Sequence, residues 1–431
     1  MSMTVALLLL TFIIFIVYIF KGGNMMIGFF VMALLWTVIG RISLHTAVND
    51  IFSQSVLDYG ATIVQIVFGS WFGRVLVDSG IAASISRAAA KFGRGRIMLT
   101  AIAVVLVTAV IFSSAYGAGS VLAVGVIILP ILLELGMPKQ VALTTFLLSV
   151  GSTLYINLVL FKQIQGFFPK ADYAGSYLIF AGTAVAVQLI AIVIYLLINQ
   201  HKFTPEQAEL NRIEFKLDQG GEQAVEKVVN PISWLVPLVP VVLSIAFQMP
   251  AVPALTIAGL LAMLLTGEFT RGYDRFQNFL DNSIKRGVGD ISGLIMFLLV
   301  LMMFQGAAKA NAAAFVPLFE AIVPHSTLVL ALALGILAPL ALARGPLMVF
   351  GAGAATVAVL SGLNIFPDSV LLPLLYVPTV MAMSTDITQS WNVWGMGYLD
   401  VKPNELIKNG VPVMWVVTII NEVLVWFIIG K

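Results

Sequence analysis

Long apolar runs, cut by short polar tips, dominate the pattern along this chain. The runs fall at 4–20, 25–40, 60–77, 97–112, 120–135, 141–160, 177–198, 232–248, 254–267, 289–305, 327–342, 347–361, 370–395 and 411–429. Many reach the ~20 residues that a bilayer crossing needs. Two adjacent pairs are shorter, 97–112 with 120–135 and 327–342 with 347–361. A tip containing glycine or proline joins each pair: Phe112-Ser113-Ser114-Ala115-Tyr116-Gly117-Ala118-Gly119-Ser120 in the first, Ala343-Arg344-Gly345-Pro346 in the second. Short paired helices with such a tip predict re-entrant hairpins. After each pair comes a spanning run that turns polar midway, at Gly151-Ser152-Thr153 and at Ser384-Thr385-Asp386. Irregular backbone at membrane depth is tolerated only where it lines a protein-enclosed cavity. A duplicated pair of interrupted helices is the sequence pointer to a secondary transporter's binding site.

The distribution of Lys and Arg orients the spans. With the N-terminus outside and both hairpins re-entrant, the inside loops hold Lys21, Arg87, Lys91, Arg94, Arg96, Lys139, Lys202, Arg212, Lys216, Lys227, Arg271, Arg275, Lys285, Arg286, Lys402 and Lys408. Outside lie only Arg41, Lys162, Lys170, Lys309 and Lys431. That bias predicts hairpins entering from opposite sides, in two inverted halves. The halves also match by position: Pro138 answers to Pro367, and Ser152-Thr153 to Ser384-Thr385.

The expected fold is an all-α polytopic membrane protein of two inverted repeats, each with a re-entrant hairpin and a broken transmembrane helix. Residues 1–59 are expected as scaffold helices, with 1–20 a membrane helix rather than a signal peptide. A first transport half follows at 60–176 (hairpin 97–135), then a scaffold helix at 177–198 and a cytoplasmic linker at 199–231 containing Gln219-Gly220-Gly221. Scaffold helices and an interfacial amphipathic helix (270–288) fill 232–288, and a second transport half occupies 289–431 (hairpin 327–361). The small, mildly polar stretches 80–93 and 307–323 are expected in equivalent places before the hairpins.

Composition narrows the class. The 431 residues are 60% hydrophobic and 10% charged, against roughly 25% charged in soluble domains. A net charge of +2 gives no case for nucleic acid, and zero cysteines exclude disulfides and thiolate chemistry. The histidines, His45, His201 and His325, are far apart. No nucleophile–base set, P-loop or dinucleotide fingerprint is present, so an enzyme is not expected and neither is an organic cofactor.

The candidate chemistry sits at the breaks. Ser113, Ser114, Tyr116 and Ser120 offer hydroxyls, and Gly117 and Gly119 admit a ligand close to the backbone. Ser152, Thr153 and Asn157 are their neighbours in the first broken helix. Arg344, beside Gly345, would cost a few kcal/mol or more at membrane depth unless paired, and its guanidinium can grip a carboxylate bidentately. These eleven positions are the expected substrate-binding set. Gly151, Ser384, Thr385, Asp386 and Gln389 are the expected coupling-ion set, with sodium held by Ser384, Thr385 and Asp386; a buried carboxylate can carry a proton instead. Glu422, beside Asn421, is a further acid in a spanning run. Arg74 and Asp78 stand one turn apart and predict an ion pair, and Asp290 reads as a helix-start acid.

Several stretches resemble the gluconate permease family of the ion transporter superfamily. They are Phe72-Gly73-Arg74-Val75-Leu76-Val77-Asp78-Ser79-Gly80 with Ala90-Lys91-Phe92-Gly93; Leu129-Pro130; Arg344 with Gly353-Ala354-Ala355-Thr356-Val357-Ala358; Asp386 with Trp391 and Gly395; and Val401-Lys402-Pro403-Asn404-Glu405-Leu406-Ile407-Lys408. The plan is also similar to the citrate and divalent anion–sodium symporters. The likeness covers 60–200 and 285–431, and the first tip lacks the acidic residue of the gluconate transporters. It implies a mobile transport domain carrying both hairpins, elevator-like motion and a homodimer, in the bacterial inner membrane. The expected function is symport of a small organic anion (a sugar acid, hydroxy acid, citrate or dicarboxylate) with protons or sodium. The alternative is a cation/proton antiporter in which Asp386 binds the ion and Arg344 is its structural partner.

Overall fold

The computed structural model describes residues 3–92, 96–218, 229–270, 272–319 and 322–431. Gly93, Arg94, Lys227 and Arg271, and the Gln219-Gly220-Gly221 centre of the expected linker, lie outside the described residues. Every regular element among the described residues is helical. Among the described residues six helices are long and apolar enough to cross a membrane, or seven if one bent pair counts as a span. Outward faces stay apolar: Ile179, Ile190 and Ile198 all stand exposed on the helix Ser176–Asn199. A helix apolar all round is buried in protein or lipid; the chain is an integral membrane protein.

At both predicted hairpins the chain runs helix, tip, helix. In the first, Ile97–Phe112 ends and Ala118–Glu134 begins across a tip at 113–117. Gly117 turns the chain at φ 97°, a left-handed conformation that glycine adopts without a Cβ penalty. In the second, Thr327–Leu337 tightens into a 3-10 segment, Ala338–Arg344, before the chain returns as Gly353–Leu363. Ala343 and Arg344 there take φ of 52° and 58°. Two consecutive left-handed non-glycine residues cost on the order of 1–3 kcal/mol each and persist only when their surroundings hold them. One such hold is Ala352, whose N–H donates to Arg344 O at 2.8 Å.

Each hairpin is followed by a broken helix, and a proline opens both: Pro138 caps Lys139–Ser152 and Pro367 caps Asp368–Thr385. The first passes through the turn Leu154–Ile156 and resumes as Leu158–Gln165, bent by 64°. The second stops at Asp386 and resumes as Ser390–Leu399. This second helix is the hub: the apolar part of Asp368–Leu399 is 94% buried, against 33% for Ser176–Lys202. The two breaks cross. A Cβ on Gly151 would collide with Ser384 Oγ, and Tyr376 donates its hydroxyl to Leu154 O.

The stretch read as an interfacial helix at 270–288 followed by a span is instead one continuous helix, Tyr273–Phe319, of 47 residues. Gly287 and Gly289 do not break it. Gly287 is a packing contact, since a Cβ there would meet the Trp71 backbone at 2.9 Å. Ser70 Oγ donates to Gly287 O at 2.8 Å and Trp71 Nε1 to Ser283 Oγ at 3.2 Å, which seals the crossing. The two stretches expected before the hairpins therefore differ in form: Ile81–Phe92 is a separate helix, whereas 307–319 ends the long one.

Candidate functional site

The two tips and the second break meet at a cavity of about 320 Å³. Tyr116 and Gly117 come from the first tip, Arg344, Met348 and Phe350 from the second, and Met383, Gln389, Ser390 and Trp391 from the helix around the second break. Gln163 enters from beyond the first break. The long helix closes the remaining wall with Asp290, Ile291, Gly293, Leu294 and Phe297, and Met25 adds to it.

Arg344 decides the electrostatics. Its Nε is buried with no hydrogen-bond partner. Among the described residues its guanidinium is paired with no carboxylate; it is the backbone N–H of Arg344 that donates to Asp386, at 3.2 Å. Asp386 is 1% exposed, and its other oxygen accepts from Thr388 N at 2.8 Å and Thr388 Oγ1 at 2.9 Å. The carboxylate thus braces the strained tip and restarts the helix, and the guanidinium is left to the cavity. Gln163 Nε2 and Gln389 Oε1 are also buried and unpartnered there. Gln163 is held by Tyr116, whose hydroxyl donates to Gln163 Oε1 at 2.9 Å. A free donor, a free acceptor and a cationic side chain face one chamber, and two helices, Ala118–Glu134 and Ser390–Leu399, begin at its edge. Helix N-termini favour anions.

The other expected substrate residues build the chamber without lining it. Ser113 and Ser114 turn away, their hydroxyls donating to Pro237 O. Ser120 donates to Tyr116 O at 3.1 Å, and Gly119 lets the Asp290 carboxylate lie against the start of the returning helix. Ser152 bonds back to Ser149 O at 2.7 Å, and Thr153 to Ala109 O at 3.0 Å. Asn157 Nδ2 donates to both Phe112 O and Ala115 O at 3.0 Å, satisfying carbonyls that the end of the entering helix would leave orphaned. Gly345 allows a close backbone approach to Leu340 O. In the coupling-ion set, Ser384 and Thr385 donate to Val380 O and Met381 O at 2.8 Å, next to Asp386, which leaves their oxygens able to accept or coordinate. Gly151 packs on Ser384, and Gln389 lines the cavity.

The sequence pattern misassigned one ion pair. Arg74 does not turn to Asp78 as its main partner; it grips Asp290 bidentately, at 2.6 and 3.0 Å. Asp78 meets Arg286 at 3.6 Å. Asp290 is accordingly mid-helix and on the cavity wall, not a helix-start acid. The signal was present: two opposite charges at membrane depth seek each other.

No protein-family model matches this chain, and no curated protein matches it. Among solved structures, its fold is similar to that of the YdaH transporter of Alcanivorax borkumensis, a structure reported to have an unusual topology. The TM-score is 0.57 over 90% of each chain, at 14% identity. A likeness at that identity is one of fold.

Proposed function

We propose that this protein is a secondary active transporter, a symporter that carries a small organic anion with sodium or protons. The observation behind this reading is the unpartnered Arg344 Nε in a chamber where both tips and the second break converge. A guanidinium whose buried Nε has no partner is costly in a membrane protein, and a carboxylate ligand relieves that cost with two parallel hydrogen bonds. Fold likeness to a transporter supports the same class. The resemblance to gluconate permeases and citrate symporters narrows the cargo to sugar acids, hydroxy acids, citrate or dicarboxylates. The cation/proton antiporter reading needs the Arg344 side chain locked to Asp386, whereas the hydrogen bond to that carboxylate comes from the Arg344 backbone and the guanidinium Nε has no partner.

In this scheme Arg344 holds the substrate carboxylate and Gln163 Nε2 adds a donor. A coupling cation sits at Asp386 with the Ser384 and Thr385 oxygens. Because Asp386 also braces Arg344 N, the ion and the substrate clamp share one residue, and each favours the other. Inverted halves let the chamber open alternately to either side, with the hairpins moving as an elevator within a homodimer.

Uptake into proteoliposomes tests the reading. Labelled gluconate, citrate, succinate and lactate are offered under inward sodium or proton gradients. Accumulation of at least one anion above its equilibrium level, lost on collapsing the gradient, is the expected result. Sodium-driven proton flux with no organic solute overturns it in favour of antiport.

A further inference from the structure

Away from the chamber, the last helix, Pro403–Ile428, carries a polar cluster that the scheme above does not use. Glu422 is 0% exposed, and neither of its carboxylate oxygens has a hydrogen-bond partner. Asn421 Oδ1 and Thr418 Oγ1 are buried and unpartnered as well. Helical spacing puts positions 418, 421 and 422 on one face. The amide nitrogen of Asn421 donates to Tyr155 Oη at 3.2 Å, leaving its oxygen open. Thr418, like Thr144 and Thr145, departs from the commoner pattern of buried hydroxyls in this protein. Thr108, Thr379, Ser384 and Thr385 each donate to the carbonyl four residues earlier, at 2.8 Å. Thr418 does not.

Among the described residues no ion pair compensates this charge. Gly335, on the entering helix of the second hairpin, lies opposite: a Cβ there would sit 3.4 Å from Glu422 Cγ. Trp415 Nε1 donates to Gly335 O and Ile336 O at 3.1 Å, fixing the two helices together. Tyr155, the titratable neighbour, belongs to the first break. An isolated buried carboxylate is untenable as a bare anion. A proton would serve one pair of these oxygens, whereas an ion with several coordination positions serves all four. Carboxylate, amide and hydroxyl oxygens are hard ligands. With a single formal negative charge, a monovalent ion leaves the cluster neutral, and a divalent one would strand a charge in a low-dielectric interior.

We propose that Thr418, Asn421 and Glu422 form a sodium site, separate from Asp386, between the last helix, the second hairpin and the first break. The site stands on its own geometry, whether or not the chamber takes an organic anion.

The test is thermal unfolding of the purified protein in detergent, with sodium chloride replacing choline chloride at fixed pH and ionic strength. Sodium raises the unfolding temperature, and Glu422→Gln weakens the half-saturating concentration roughly ten- to a hundredfold, since affinity in such sites follows ligand charge. Asp386→Asn keeps a sodium response, which the added Glu422→Gln removes. Thr418→Val deletes one ligand oxygen at nearly constant volume and also weakens the response, which keeps the test open if Glu422→Gln does not fold. Three results overturn the proposal: equal sodium responses in wild type and in the Glu422 and Thr418 variants; a response abolished by Asp386→Asn alone; or a pH-dependent, sodium-independent stabilisation lost in Glu422→Gln, which marks a proton site.

Discussion

Arg344 and Asp386 are joined through the backbone: the N–H of the arginine donates to the carboxylate at 3.2 Å, while the guanidinium goes to the cavity. One residue thereby tethers the tip of the second hairpin to the break it faces. Asp386→Ala leaves the N–H groups of Arg344 and Thr388 unsatisfied, at a cost of roughly 1–3 kcal/mol each. Asp386→Asn keeps an acceptor oxygen and loses only the charge. The alanine variant should therefore unfold several degrees lower than the asparagine variant, with transport lost in both. Equal unfolding temperatures for the two would remove the bracing role.

Arg344→Ala should reduce anion uptake about a hundredfold or more, since truncating one partner of a buried charged pair costs on the order of 2–5 kcal/mol. Folding should survive, because the side chain of Arg344 holds up no other element. Arg344→Lys keeps the charge but not the two-pronged geometry, so it should retain a small fraction of transport. Quantitative uptake, normalised to extracted protein, separates these outcomes; wild-type uptake in the alanine variant refutes the clamp.

Arg74 and Asp290 are 17% and 18% exposed at their side chains, so the pair is largely withdrawn from solvent. Removing one member strands the other, and such losses run to about 3–5 kcal/mol for fully buried pairs, less here. Arg74→Ala and Asp290→Ala should each lower the unfolding temperature more than the double variant does. Additive losses in that cycle would mean the contact contributes no coupling.

Gly151→Ala should impair transport, because the new methyl collides with Ser384 Oγ where the breaks cross. Adding Ser384→Ala removes the obstructing oxygen and should recover part of the loss in stability. Uptake and unfolding temperature for the single and double variants check this.

Much of this arrangement is legible from the chain alone. Apolar runs with polar tips located both helix–tip–helix segments, and Pro138 and Pro367 mark the starts of both broken helices. Proximity in sequence misled in two places. Arg74 has Asp78 one turn away, yet its bidentate partner lies 216 positions further on. Local spacing cannot reveal a neighbour supplied by tertiary packing. The change from the amphipathic stretch 270–288 to the apolar run at 289 reads as a boundary between two elements; one helix carries both, and the absence of a side chain at Gly287 admits Trp71. Hydroxyls at the tips were also ambiguous. Ser113 and Ser114 bond outward to Pro237 O, and which way a small side chain turns depends on a segment more than 100 residues away.

The helix Tyr273–Phe319 is a rod of 47 residues, roughly 70 Å at the α-helical rise and over twice the ~30 Å hydrocarbon thickness. Its outer turns carry solvent-exposed charges such as Asp281 and Lys285, and a few turns inward it bears Asp290 on the chamber wall. The protein therefore has a handle: a nanobody gripping those outer turns would tug on the compartment from a distance, and altered cargo affinity would report the pull.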